Sequence, residues 1–280
     1  MEILLFRAAL APSMVLLASV VARRLGPRRG GRLLGAPTTT GPFLALVCWD
    51  AGRSAGAEAA QGSVAGQLVV ACFCLAYGRL APRLLPWRTL ARALLAAAAA
   101  GAVGVALGDV WLTAAVTVAV VLAGLWTWRV TSDSVPVRQA ARAWETPLRM
   151  ALATGTVLAA MAGARLLGSY VGGVLSTLPV LLAVMAPTVH RSGGARAAAE
   201  LTRGALLSAA ATCCFLLTLA TALPAHGPLL AFPLALVALV ASGWVLNVVV
   251  ARRTRGSSLV VRRGGVMGAA RGSGGVPSAR

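Results

Sequence analysis

Residues Gly35 to Trp49 (GAPTTTGPFLALVCW) are too apolar for a solvent loop and too interrupted for an uninterrupted helix. Residues Gly172 to Ala186 (GGVLSTLPVLLAVMA) repeat the same design: Gly35, Thr39, Thr40 and Pro42 match Gly172, Ser176, Thr177 and Pro179 as G-x-x-x-[ST]-T-x-P. The correspondence continues outward. Arg53-Ser54 and Arg191-Ser192 follow each copy, Gly62 and Gly204 open the next apolar helix, and Cys72-Phe73 lies at the depth of Cys214-Phe215, with one small insertion in the second copy. Interrupted apolar segments at matching places in two halves of a chain point to a binding site at the repeat interface of a membrane transporter.

Composition gives the setting. The 280 residues are 58% hydrophobic, above the roughly 45–50% of soluble domains, and mean hydropathy is +0.81. Twenty-six basic residues, all Arg, oppose seven acidic ones for a net charge of +19. The absence of Lys, with Ile3 and Asn247 the sole Ile and Asn, fits a GC-rich bacterial genome. The Arg residues punctuate apolar spans instead of clustering on a soluble fold. This argues against nucleic acid as a partner and for the lipid bilayer, with anionic headgroups at the Arg-rich loops and tail.

Apolar runs and charges together predict an all-α, polytopic integral membrane protein of about nine transmembrane helices. Ile3 to Ala22 is the first expected span, with its Arg cluster (Arg23, Arg24, Arg28, Arg29) after it, the reverse of a signal peptide. The first interrupted segment (33–49), Gly62 to Tyr77, Ala93 to Leu107 and Val110 to Trp128 complete a first membrane repeat over residues 1–128. A cytoplasmic loop is expected over 129–147 and a second repeat over 148–250, with spans at Leu148 to Leu167, Gly168 to Val189, Gly204 to Leu223 and Leu229 to Val250. Residues 251–280, rich in Gly, Ser and Arg, are expected to form a disordered basic tail. The charge alternation puts the N-terminus outside and the C-terminus inside a bacterial cytoplasmic membrane. The two repeats then cross in opposite senses, as an inverted-topology pair.

Chemistry centres on the interruptions. Pro42 and Pro179 each remove a backbone donor, and a half-helix N-terminus there presents a positive dipole. Thr38, Thr39, Thr40, Pro42, Ser176, Thr177 and Pro179 are therefore the expected substrate-contacting set. The competing reading has the hydroxyls back-bonding their own helix and the prolines making packing kinks. Asp50 and Asp109, at outer span ends, are the candidate proton or ion relays. Cys48, Cys72, Cys74, Cys213 and Cys214 lie in apolar runs without redox or zinc spacing. Neither a metal site nor a cofactor is expected, and no hydrolase, metalloprotease or pyrophosphate-binding motif argues for an enzyme.

The run Gly172-Gly173-Val174 to Pro179, followed by His190 and the Arg203-Gly204 helix start, resembles the short GlpM-type bacterial inner-membrane proteins. The resemblance covers about a quarter of the chain, or half if the first copy is counted; that copy has Arg53 near the place of the His. It implies a duplicated small membrane protein and names no substrate. The residues themselves point to a secondary permease or exporter for a small polar or anionic solute. The rival is a non-catalytic accessory or assembly subunit packing through small-residue faces such as Gly101-x-x-Gly104, Gly108 and Gly163.

Overall fold

The computed structural model describes residues 36–128 and 145–269. The expected first span (Ile3 to Ala22), most of the 129–147 loop and the end of the tail lie outside these residues. Among the described residues the fold is entirely helical. In chain order the helices are α1 (Thr40–Leu80), α2 (Pro86–Leu107), α3 (Val110–Thr127), α4 (Glu145–Leu167), α5 (Ser169–Ser176), α6 (Val180–His226) and α7 (Pro228–Ala269). Five segments are long and apolar enough to cross a membrane: Thr40–Leu80, Pro86–Leu107, Val110–Thr127, Ser169–His226 and Pro228–Val249. The molecule is built as a multi-pass membrane protein.

Burial separates centre from periphery. The apolar windows of α1 and of Ser169–His226 are 78% and 72% buried, whereas that of α7 is 11% buried. Leu229, Leu230, Val237, Val240 and Trp244 of α7 and Leu95, Val105 and Trp111 of α2 and α3 are exposed. An apolar rim of this extent is unfavourable in water and suits lipid.

Local chemistry explains the breaks. Gly52 in α1 (φ 88°, ψ 176°) and Gly194 in α6 (φ 79°, ψ 175°) turn each long helix sharply in a backbone region reserved for glycine. α1 is thus a short arm (40–51) and a long arm (53–80); α6 is likewise an arm over 180–193 and another over 195–226. Leu85, extended ahead of Pro86, starts α2, and left-handed Gly108 stops it. The Asp109 carboxylate accepts the Leu112 amide at 2.7 Å and caps α3. The two helices expected on either side of Gly108-Asp109 are therefore present.

The long arms of α1 and α6 pack antiparallel: Gly56 lies against Leu223, while Gly78 lies against Thr202 and Trp128. α5 crosses α1 through glycine. A Cβ on Gly62 would stand 1.9 Å from the Tyr170 carbonyl oxygen, and one on Gly173 would stand 2.0 Å from that of Ala59. Without those side chains the two backbones touch, as in small-xxx-small membrane packing.

Three details depart from the sequence reading. The two Arg-Ser pairs lie on opposite sides of the kinks, Arg53-Ser54 after Gly52 and Arg191-Ser192 before Gly194. Arg203, expected at a loop-to-helix boundary, is buried at 2% exposure. Helix α7 continues to Ala269, past Ala251 where disorder is expected.

Candidate functional site

The interruption between α5 and α6 follows from Pro179, which has no amide to donate. α5 tightens at its end, where the Thr177 amide bonds the Val174 carbonyl at 3.2 Å and Leu178 bonds Leu175 at 3.3 Å; Val180 bonds Leu178 at 2.8 Å before α6 begins. The first interruption differs in form. Pro42 lies in the opening turn of α1, where a helix needs no amide, so it starts the short arm and does not kink it. The break lies just before it, in a turn where the Thr38 amide donates to Ala36 at 2.7 Å.

These two breaks meet. Thr40 Oγ1 donates to the Ser176 carbonyl at 3.4 Å. Ser63, on the long arm of α1, sits within 3.1 Å of the Gly173 carbonyl and 3.4 Å of Ser176 Oγ. The Ser176 and Thr177 hydroxyls also lie 2.8 and 3.3 Å from the Gly173 carbonyl. Other hydroxyls, such as those of Thr117, Thr188 and Thr218, reach back to their own helices at 2.7, 2.8 and 2.8 Å. Thr40 instead bonds between elements, and the Ser63 hydroxyl is shared between the Ala59 carbonyl of its own helix at 2.9 Å and the Gly173 carbonyl of α5.

Beside this knot is a cavity of about 40 Å³, bordered by Thr39, Thr40, Gln67, Thr156, Thr177 and Pro179, with Leu181 and Leu182 of the first turn of α6. It holds the start of α1 and the start of α6 together. Neither helix has an acidic residue in its first turn or a side chain capping its amides. Gln67 is 4% exposed and its Oε1 has no hydrogen-bond partner. A buried carbonyl left so costs about 1–3 kcal/mol unless something fills the cavity to meet it. The position is also central. Gln67 lies about 20 Å from either end of the long arm of α1 at about 1.5 Å rise per residue. The apolar cluster containing Val69 and Phe73 lies beyond it on one side, and that containing Ala60 and Val64 on the other.

Of the expected set, Thr39, Thr40, Thr177 and Pro179 border the cavity, Ser176 belongs to the adjoining knot, and Thr38 and Pro42 support the first break. The two carboxylates are elsewhere. Asp50 pairs with Arg165 at 3.2 Å beside the α1 kink, and Asp109 caps α3. Ser63, Gln67 and Thr156 were not singled out by sequence. Gly62-x-x-x-Gly66, a close-packing signature with Ser63 inside it and Gln67 next to it, is the signal that marks that stretch. At one end of the helices Tyr77 Oη and His190 Nδ1 are 3.3 Å apart. No cluster of three potential metal ligands occurs among the described residues.

Comparisons with protein-family models, curated proteins and solved structures found no match, so the site rests on the chain's own residues.

Proposed function

We propose that this chain is a secondary transporter of the bacterial cytoplasmic membrane, carrying a small polar or anionic solute through the junction of its two interrupted segments. The observation that carries this reading is the convergence of both breaks on one cavity beside Gln67, midway along the buried long arm of α1. Backbone interruptions at such depth are tolerated where they are buried in protein or line a water-filled space, and a cavity lies beside these.

An inverted-topology repeat of about nine spans accounts for the arrangement. Gly52 and Gly194, Gly62 and Gly204, and the helix starts Pro86 and Pro228 are separated by equal lengths of chain. The paired long arms run in opposite directions, as the repeat requires. By the positive-inside rule, the end bearing Arg79, Arg83, Arg88, Arg92, Arg191 and Arg196 is cytoplasmic and the Asp50, Asp109 and His226 end external. In transport, the short arms rock on their kink glycines and open the cavity to each side in turn.

The accessory-subunit reading is weaker because most of its small-residue positions are already used within the chain. A Cβ on Gly101 or Gly104 would stand 3.5 or 3.6 Å from Val69 or Ala65 of α1 and one on Gly163 would meet Leu175, while Gly108 faces open space.

The test is cysteine accessibility at Thr39 and Thr177 in a background without native cysteines, probed from each side with a membrane-impermeant thiol reagent. Transport predicts labelling from both sides. Absence of labelling from either side would mean a dry, packed junction and would transfer the case to the accessory role.

A further inference from the structure

We infer that the ligand of the cavity is a small monovalent inorganic anion of halide or nitrate size, held between the start of α1, the first turn of α6 and the Gln67 amide. This deepens the transporter reading and rests on it.

Size limits the ligand first. A water needs about 10–15 Å³ of such space, so a cavity of about 40 Å³ is matched in size to one small ion with one or two waters. Charge is decided by the helix ends. Each N-terminus carries about half a positive charge, and both α1 and α6 begin at the cavity. The first-turn amides of Leu181 and Leu182, together with that of Thr40, are groups a helix cannot satisfy from within. Among the described residues no Asp or Glu borders the cavity, and the two positive helix ends outnumber the one negative end, that of α5 at Thr177 and Leu178. Among the described residues no Arg borders it either, so a single negative charge is the better match to the two helix ends.

Gln67 is the independent indication that something binds there. Its side chain is 4% exposed, it borders the cavity, and its Oε1 lacks a partner. A half-turn of the amide exchanges oxygen for NH₂, so it donates to an anion at no cost in packing. The Thr39 hydroxyl stands at the same opening.

The experiment uses the purified full chain in liposomes. Chloride and nitrate fluxes are measured against isethionate as a bulky anion, with sodium and glycerol as cation and neutral probes, alongside thermal shifts in chloride. Two variants test the site. Gln67→Leu removes the amide, and Thr39→Asp puts a carboxylate at the opening while remaining a favourable helix cap. The expected result is chloride- and nitrate-dependent flux and stabilisation, with chloride affinity weakened about 10- to 100-fold in Gln67→Leu, the worth of one hydrogen bond to an ion, and anion flux abolished in Thr39→Asp. Unchanged anion behaviour in both folded variants would overturn the site. Glycerol or sodium flux without an anion response would overturn the anion while leaving a transporter. Failure of every flux, with no thiol labelling at Thr39 or Thr177, would remove both readings.

Discussion

Thr40 and Ser176, separated by 136 positions in sequence, are joined by a hydrogen bond from the Thr40 hydroxyl to the Ser176 carbonyl at 3.4 Å. Through it the start of one half-helix touches the end of another. It links the two interrupted segments directly, and the cavity lies beside it.

The α1–α5 contact depends on missing side chains. Gly62→Ala and Gly173→Ala each drive a Cβ into a carbonyl on the facing helix. A backbone cannot yield as a rotamer can, so each change should cost at least the roughly 1–3 kcal/mol of overpacking. Gly101→Ala is the control: its Cβ would meet Val69 at 3.5 Å, an ordinary contact, and it gains up to about 1 kcal/mol of helix propensity. Thermal unfolding in detergent should therefore fall for the first two variants and hold or rise for the third.

Kink glycines should respond alike in both halves. Alanine at Gly52 or Gly194 has open space around its methyl group but must adopt φ of 88° or 79°. The strain is about 1–3 kcal/mol. Equal losses of thermal stability at the two sites, against little change for Gly41→Ala, would identify the kinks as equivalent; a loss at one alone would count against the repeat.

Bonding between helices should separate Ser63 from the ordinary hydroxyls. Ser63→Ala removes a hydroxyl shared between the Ala59 carbonyl of its own helix and the α5 carbonyl of Gly173, and should cost about 1 kcal/mol. Thr218→Ala, whose hydroxyl bonds within its own helix, should cost less in the same unfolding assay.

The two carboxylates should behave as structural groups. Asp50→Asn breaks an exposed pair with Arg165, worth about 0–1 kcal/mol, and should leave solute flux intact. Asp109→Ala should cost about 1 kcal/mol as a lost cap, restored by Asp109→Ser. Collapse of transport in Asp50→Asn with stability unchanged would instead make Asp50 a relay.

Sequence by itself determined the helical, membrane-spanning character, the Gly108-Asp109 turn, and the two segments that break. Each is written in local chemistry: apolar run length, glycine freedom, proline's missing amide. It also placed the polar hydroxyls of Thr39, Thr40, Ser176 and Thr177 at the interruptions. Tertiary structure decided which of them share a space. Gln67 reads in sequence as one polar residue in an apolar helix, and only the approach of α5 and α6 leaves its carbonyl buried without a partner. Pro42 reads as a helix breaker, yet its place in the first turn makes it a helix starter. Asp50 reads as a relay until Arg165, on another helix, is found beside it. Local propensity acts through neighbours in sequence, whereas an unmet hydrogen bond or an ion pair is a property of groups brought together from distant parts of the chain.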